Sequence, residues 1–253
     1  MNRVDIMGVR ILNTTLSEIV ENLQNDIESN NKSSVFTPNT EIVMIAQKNS
    51  ELIDEINKGT YVIPDGIGLI YGAKMRGIKL QERVTGYDTS ISLLKLADEK
   101  QLSLYLLGGQ DGVAEEAAKR INQEYKGIRI SGFHHGYFKG THTGNDGTEE
   151  ENAIIEDINK SNTDILFVGF GFPKQEKWIN SHIDKLNVKV AIGNGGVIDV
   201  LAGRVKRAPD IFIKLGLEWF YRLVSSPSRI KRQIVLPLFL IRVLFNKDSI
   251  KKL

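Results

Sequence analysis

Ile165-Leu-Phe-Val-Gly-Phe-Gly-Phe-Pro-Lys-Gln-Glu-Lys-Trp178 is the stretch whose reading decides the fold. Ile165 to Val168 is a short apolar run bounded by Asp164 and Gly169, the pattern of a buried strand. Gly169 and Gly171 let the chain turn sharply and let a ligand approach the main chain. Pro173 sits where a helix can begin, and Lys174 to Ile179 carry a helical pattern. A strand, a glycine turn and a helix N-terminus gather unpaired N–H groups at one spot, which favours an anion. Gln175 and Glu176 follow at once, placed to reach the mouth of such a site.

The same unit recurs on both sides. Ser34 to Thr37 reads as a strand broken by Pro38, after which Asn39 or Thr40 caps a helix, so Thr37 and Asn39 fall at a strand's C-terminal end. Tyr61 to Pro64 is a strand that runs into Asp65-Gly66, and Arg83 lies in the polar approach to a helix from Asp88 to Lys100. Leu102 to Leu107 is a strongly apolar strand. Gly108-Gly109 leads from it into the helix Val113–Tyr125, without the Gly-x-Gly-x-x-Gly spacing or the lysine of a phosphate loop. Ile128 to Ser131 is a strand followed by His134-His135-Gly136-Tyr137. Two adjacent histidines with no acidic pattern beside them read as loop residues rather than metal ligands. Glu149 to Asn159 is a helix, and Val188 to Ile192 is a strand ending in Gly193-Asn-Gly195-Gly196 with a short helix behind it. Nearer the start, Val4 to Ile11 contains a strand, and Thr15-Leu-Ser-Glu18 is a capping box for a helix through about Ile27. Strands that alternate with helices predict a doubly wound, largely parallel Rossmann-like α/β sheet. Its glycine turns and Asp65 then converge on one edge.

The chain has 253 residues, 41% of them hydrophobic and 25% charged, and no cysteine. Disulfides, thiolate metal sites and cysteine nucleophiles are therefore excluded. Met1 to Arg10 carries Asp5 and does not read as a signal peptide, so the expected location is cytoplasmic. The net charge of +2 conceals a division, because 12 of the 33 lysines and arginines but only 3 of the 31 acidic residues follow Gly203. Residues 1–203 read as the body, whose strands and crossovers all end there. Residues 204–253 read as a basic helical appendage. Within it Ile211 to Val224 is an aromatic-rich amphipathic helix, and Pro227 starts a second helix that carries Arg229, Lys231 and Arg232. Ile234 to Ile241 is apolar but interrupted by Pro237, and eight residues cannot cross a bilayer that requires about 20. Such a basic amphipathic pair suits an anionic membrane surface, which places the protein at the inner face of the membrane. The same helices could instead pack on the body or on a sister subunit in a homo-oligomer. No nucleic acid is expected, since the aromatic residues follow helical spacing rather than a stacking platform. A nucleotide-dependent oxidoreductase would need the dinucleotide fingerprint, which is missing.

Six ordered motifs resemble the WecG/TagA/CpsF family of bacterial glycosyltransferases. They are Thr37-Pro-Asn39, Pro64-Asp-Gly66, Gly169-Phe-Gly-Phe-Pro-Lys-Gln-Glu176, Gly195-Gly196 with Asp199 and Ala202-Gly203, Arg207-Ala-Pro209, and Leu217-Glu-Trp-Phe-Tyr-Arg222. The resemblance runs from about Val4 to Phe245 and looks closest to the wall teichoic acid branch. It implies inverting transfer of N-acetylmannosamine from a UDP-sugar donor to GlcNAc on undecaprenyl diphosphate, with N-acetylmannosamine uronate and glucose as donors elsewhere in the family. It implies Asp65 as the base, with Thr37 and Gln175 in the catalytic group. Asn39, Arg83, Gly108, Gly109, Tyr137, Gly169, Gly171, Gly195 and Gly196 are implied as substrate-binding positions. Arg222, Arg229 and Arg232 are implied to fold over the site and meet the diphosphates. One departure is Asn194-Gly-Gly-Val-Ile-Asp199, where many members have a valine before the glycines and an aromatic before the aspartate. The sequence has no Asp-x-Asp pair, so phosphate charge is expected to fall to arginines and helix N-termini, with no cofactor and no metal.

Overall fold

The structure is a computed structural model that describes residues 2–214, 216–225 and 234–253, the backbone alone at Asp210, Lys214, Arg222, Leu223 and Ser225. Six strands, β3 Ser33–Phe36, β4 Tyr61–Val62, β5 Ser103–Gly108, β6 Arg129–His134, β7 Ile165–Gly169 and β8 Val190–Gly193, form one sheet in the order β4-β3-β8-β7-β5-β6. Every pairing in it is parallel. All six C-terminal ends therefore share one edge, as the alternation of strands and helices predicts.

Side-chain alternation divides the core into two layers. In β7, Ile165 and Phe167 join a cluster with Leu23, Leu93, Ala117 and Ile198, while Leu166 and Val168 join Ile158 and Trp178 on the opposite face. The first cluster is supplied by α1 Leu16–Glu28, α5 Gly86–Lys100, α6 Val113–Glu124 and α9 Val197–Leu201. The second comes from α7 Glu149–Lys160 and α8 Lys174–His182. Strands buried on both faces need unbroken apolar runs, which is why β5 and β7 read so plainly. Helix starts are equally local. Thr15 and Glu18 make the capping box of α1, and the Asn39 side chain accepts from the Ile42 N–H at the start of α2 Thr40–Ala46.

Four features differ from the sequence reading. Val4 to Ile11 is not one strand but a hairpin, β1 Arg3–Ile6 and β2 Val9–Leu12. Met7 and Gly8 turn it with φ of 53° and 89°, and the Asp5 carboxylate accepts the Gly8 N–H at 2.8 Å. Positive φ at both central residues suits the right-handed twist of a hairpin, but methionine gives no signal of it. Second, the chain end returns to this hairpin. β9 Ile250–Lys252 pairs antiparallel with β1, Ile250 opposite Ile6, so strands do not end before Arg204.

Third, Pro237 does not interrupt its helix. It is the third residue of α12 Val235–Phe245, where its missing N–H would have had no intrahelical partner. α12 lies against α4 Ile67–Met75, whose Gly68 and Gly72 form its seat. A Cβ at Gly68 would stand 2.4 Å from Leu236, and one at Gly72 would stand 2.6 Å from the Phe239 ring. Phe239 and Val243 are fully buried there, in a cluster with Ile6, Ile56 and Ala73. The Arg76 guanidinium donates to the carbonyls of Val243 and Leu244, meeting the open end of α12. Fourth, the stretch Ile211–Val224 is two short helices, α10 Asp210–Lys214 and α11 Glu218–Ser225, parted at Gly216 with φ 70°. The second appendage helix expected from Pro227 falls mostly outside the described residues. No helix among the described residues is long and apolar enough to cross a membrane.

Candidate active site

The strand ends of β4, β3 and β8 bring Asp65 and Thr37, two of the expected residues, into one connected group. Asp65 follows β4, and its backbone N–H donates to the Pro38 carbonyl at 3.2 Å, tying the two strand ends together. Its carboxylate accepts the Gly86 N–H at 3.1 Å, at the first residue of α5. A Cβ on Gly86 would stand 3.1 Å from the Thr37 hydroxyl, so glycine lets Thr37 sit close to this helix start. The buried Thr37 hydroxyl donates to the Gly193 carbonyl at 3.4 Å on β8. Asp65 is thus a carboxylate at a strand end, beside a helix N-terminus that stabilises its charge.

Gln175 sits differently from the expectation. It does not lie open at the mouth but is 3% exposed and binds two turns together. Its Oε1 accepts from the Gly171 N–H at 3.1 Å and from the Gly195 N–H at 2.9 Å, while its Nε2 donates to Glu176 Oε1 at 3.0 Å. Gly171 and Gly195 have φ of 76° and 52°, so the turns aim these N–H groups inward at no steric cost. The turns are also pressed close, because a Cβ on Gly169 would stand 2.9 Å from the Gly195 carbonyl. Phe170 fixes the first turn from outside, stacked on His142 with ring centroids 4.5 Å apart.

Glu176 is buried with it, and loss of water pushes its carboxyl up to about 7, helped by the charge of Glu55. Its Oε2 has no hydrogen-bond partner among the described residues. Burial likewise raises the Asp199 carboxyl behind Gly196. Asn194, the residue that departs from the family pattern, is buried with neither amide atom partnered among the described residues.

The remaining expected positions are distributed along the same edge. Asn39 faces inward as the cap of α2. Gly108 and Gly109 abut Gly169, since a Cβ on Gly108 would stand 2.7 Å from the Gly169 Cα, and Gly109 donates to the Gly169 carbonyl at 3.3 Å. They shape the mouth by letting β5 and β7 close on each other. Tyr137 is 76% exposed. Arg83 pairs with Glu218 of α11 at 3.4 Å, and Arg207 pairs with Asp88 at 2.6 Å while covering the Tyr87 ring at 4.1 Å. These contacts hold Arg207 and Glu218 beside the start of α5, whose Gly86 N–H meets Asp65. The Arg222 side chain, Arg229 and Arg232 lie outside the described residues.

Sequence reasoning missed one constellation. Ligand atoms of His134, His135 and Glu150 lie within 4.8 Å of one another, because the start of α7 returns to the end of β6. His134 Nδ1 lies 2.9 Å from the His135 carbonyl, whereas His135 Nδ1 lies 3.3 Å from the Tyr137 N–H. The second contact occupies the lone pair a metal would need on that nitrogen. Glu150 was already in the sequence, but nothing local in it announces the approach.

Whole-chain comparison bears on the family rather than on single site residues. The model of the Glycosyl transferase WecG/TagA/CpsF family matches residues 4–252. The chain belongs to that family. It is a glycosyltransferase, and the first four of the six motifs begin at the C-terminal ends of β3, β4, β7 and β8 on one sheet edge. Among its relatives, a Staphylococcus aureus protein (strain MRSA252) is 35% identical over 99% of this chain and 95% of its own length. A Bacillus subtilis protein (strain 168) is 32% identical over 99% of this chain and 94% of its own. Both bear the name N-acetylglucosaminyldiphosphoundecaprenol N-acetyl-beta-D-mannosaminyltransferase.

Proposed function

We propose that this glycosyltransferase moves N-acetylmannosamine from UDP-ManNAc to GlcNAc-diphospho-undecaprenol with inversion, in the synthesis of wall teichoic acid or a related surface polysaccharide. The observation that carries the reading is Asp65 on the start of α5, joined through Gly86 and Thr37 to the β8 glycine turn. Near-full-length relatives bearing that transferase name supply the substrates. Inversion needs one base on the acceptor hydroxyl. Asp65 takes that proton as the hydroxyl oxygen attacks the anomeric carbon and UDP leaves, a contribution of about 10²–10⁴ in rate. The departing diphosphate is met by Arg83, by helix N-termini at the strand edge and by Arg222, Arg229 and Arg232 of the basic segment.

The acceptor carries a lipid, and the described part of the C-terminal segment suits a membrane surface. α12 buries Phe239 and Val243 while leaving Leu238, Ile241, Leu244 and Phe245 at 49–82% exposure. One buried and one exposed apolar face on the same helix fit a peripheral contact with an anionic leaflet, where each nearby lysine or arginine adds about 1 kcal/mol.

A donor panel tests the proposal. UDP-ManNAc, its uronate and UDP-glucose are offered with a short-chain GlcNAc-diphospho-lipid, with and without EDTA. Turnover with UDP-ManNAc that persists in EDTA is expected. Preference for another donor would replace the sugar assignment. Activity lost in EDTA and restored by a divalent cation would direct attention to His134, His135 and Glu150.

A further inference from the structure

Gln175 performs a geometric task that its own side chain cannot guarantee. An amide presents an oxygen on one side and an NH₂ on the other, and only one of the two orientations offers an acceptor to Gly171 and Gly195. In that orientation the NH₂ group faces a buried space, where an unmet donor is costly. The Glu176 carboxyl meets it at 3.0 Å, itself 2% exposed and on the next residue of the same helix. If the amide turned over, the NH₂ group would confront two N–H donors and Oε1 would confront the carboxyl oxygen. Glu176 therefore joins the two N–H groups in selecting the orientation that connects the turns.

We propose that Glu176 is a positioning residue: acting through Gln175, it holds the β7 and β8 glycine turns at the spacing that shapes this edge of the sheet for a nucleoside diphosphate. The inference rests on the donor being a UDP-sugar bound at that edge. Glu176 touches no reacting atom. Its effect passes along one chain of contacts, from its Oε1 to Gln175 Nε2, then from Gln175 Oε1 to the N–H groups of Gly171 and Gly195. A glutamate in the first turn of α8 also has a purely local benefit, since a carboxylate there favours the helix dipole. The two roles make different demands. The dipole is served by charge, whereas the amide needs only an acceptor oxygen of the right reach.

The experiment separates them with Glu176→Gln and Glu176→Leu in the full chain, by UDP affinity, donor KM, acceptor KM and kcat. Glutamine keeps an acceptor oxygen and removes the charge, and should stay within about threefold of wild type in every constant. Leucine keeps the volume and removes the acceptor, and should weaken UDP binding and raise donor KM by about tenfold, the size of one lost hydrogen bond. Acceptor KM should not move. If leucine prevents folding, alanine takes its place with the same expectations. Donor constants that remain at wild-type values in the leucine or alanine variant overturn the proposal, as does a glutamine variant as impaired as leucine. A wild-type chain that binds no UDP overturns the nucleotide reading itself, which is a different result from either.

Discussion

The glycine turns and the C-terminal segment meet the same sheet, but they are held to it by different forces. At the turns, backbone N–H groups are gathered by one buried amide, with distances of 2.9–3.1 Å and left-handed backbone at Gly171 and Gly195 that favours glycine. Between Arg204 and Glu218, the described residues are tied to the body by the ion pairs Arg204–Glu116, Arg207–Asp88 and Arg83–Glu218. Further on, α12 and β9 are fixed by apolar burial and strand pairing at the far edge. Among the described residues, the chain end is therefore fixed by burial and the stretch beside α5 and α6 by ion pairs. Such an arrangement suits a substrate that must enter beneath it, and it separates the residues that set geometry from those that cover it.

The largest expected effect is at the geometric end. Asp65→Asn should reduce kcat by about 10²–10⁴ while leaving UDP affinity nearly intact, because asparagine keeps the shape but accepts no proton. A variant that retains more than about a tenth of wild-type kcat would remove Asp65 from the role of base. Next in size is the firm anchor of the C-terminal segment. Phe239→Ala should cost about 3–5 kcal/mol in urea or thermal unfolding, the range for truncating a fully buried aromatic. For the same reason, cutting the chain after Gly203 should destabilise the remainder, since it strips β9 from β1 and uncovers Gly68 and Gly72. A truncated chain as stable as the whole would show that the anchor contributes little.

What the sequence discloses follows the range of the interactions concerned. Apolar runs such as Leu102–Leu107 and caps such as Thr15 and Asn39 depend on a few neighbouring residues, and they are placed correctly. Parallel strands put Thr37, Asp65, Gly169 and Gly195 on one edge by topology alone. The errors lie where partners are far apart in the chain. β9 finds β1 across almost the entire sequence, and Met7 adopts a left-handed conformation that its type does not suggest. Gly68 and Gly72 carry a spacing that could have marked a seat for another helix, but only α12 explains it. Gln175 reads as a residue at the mouth because it follows a turn, and its burial becomes visible only when β8 is set beside β7.

Glu176 offers an intermediate effect, and its sign can be worked out. An unfolded glutamate loses its proton near 4.5, whereas burial delays that loss to about 7 in the folded protein. Between those values the folded state binds more protons than the unfolded state, so stability falls as pH rises. The group facing it on α3 Ser50–Asn57 is Glu55, whose charge acts in the same direction. The loss amounts to at most about 2–3 kcal/mol between pH 4.5 and 7.5. Glu176→Gln has no proton to lose, and its stability should be flatter over that interval. Parallel pH profiles for variant and wild type would mean that the carboxyl is already ionised when folded.

The smallest effect concerns the light contact. Arg83 and Glu218 stand 3.4 Å apart with side chains 15% exposed, so the pair is less screened than a surface bridge but lacks a short, two-pronged geometry. A double-mutant cycle with Arg83→Met and Glu218→Gln should give a coupling of about 0.5–1 kcal/mol in the unfolding free energy. That coupling should shrink as salt rises, because exposed parts of both groups feel the ions. The cycle isolates the pair, since either single change also alters what Arg83 offers to a diphosphate. A coupling of several kcal/mol would mean that the segment is clamped over the mouth as firmly as the glycine turns are clamped below it. It would also mean that a diphosphate has to displace Glu218 from Arg83 at a cost comparable to its own binding. With a coupling near the expected value, phosphate oxygens can replace the carboxylate on the same guanidinium, and the segment need only shift to admit them.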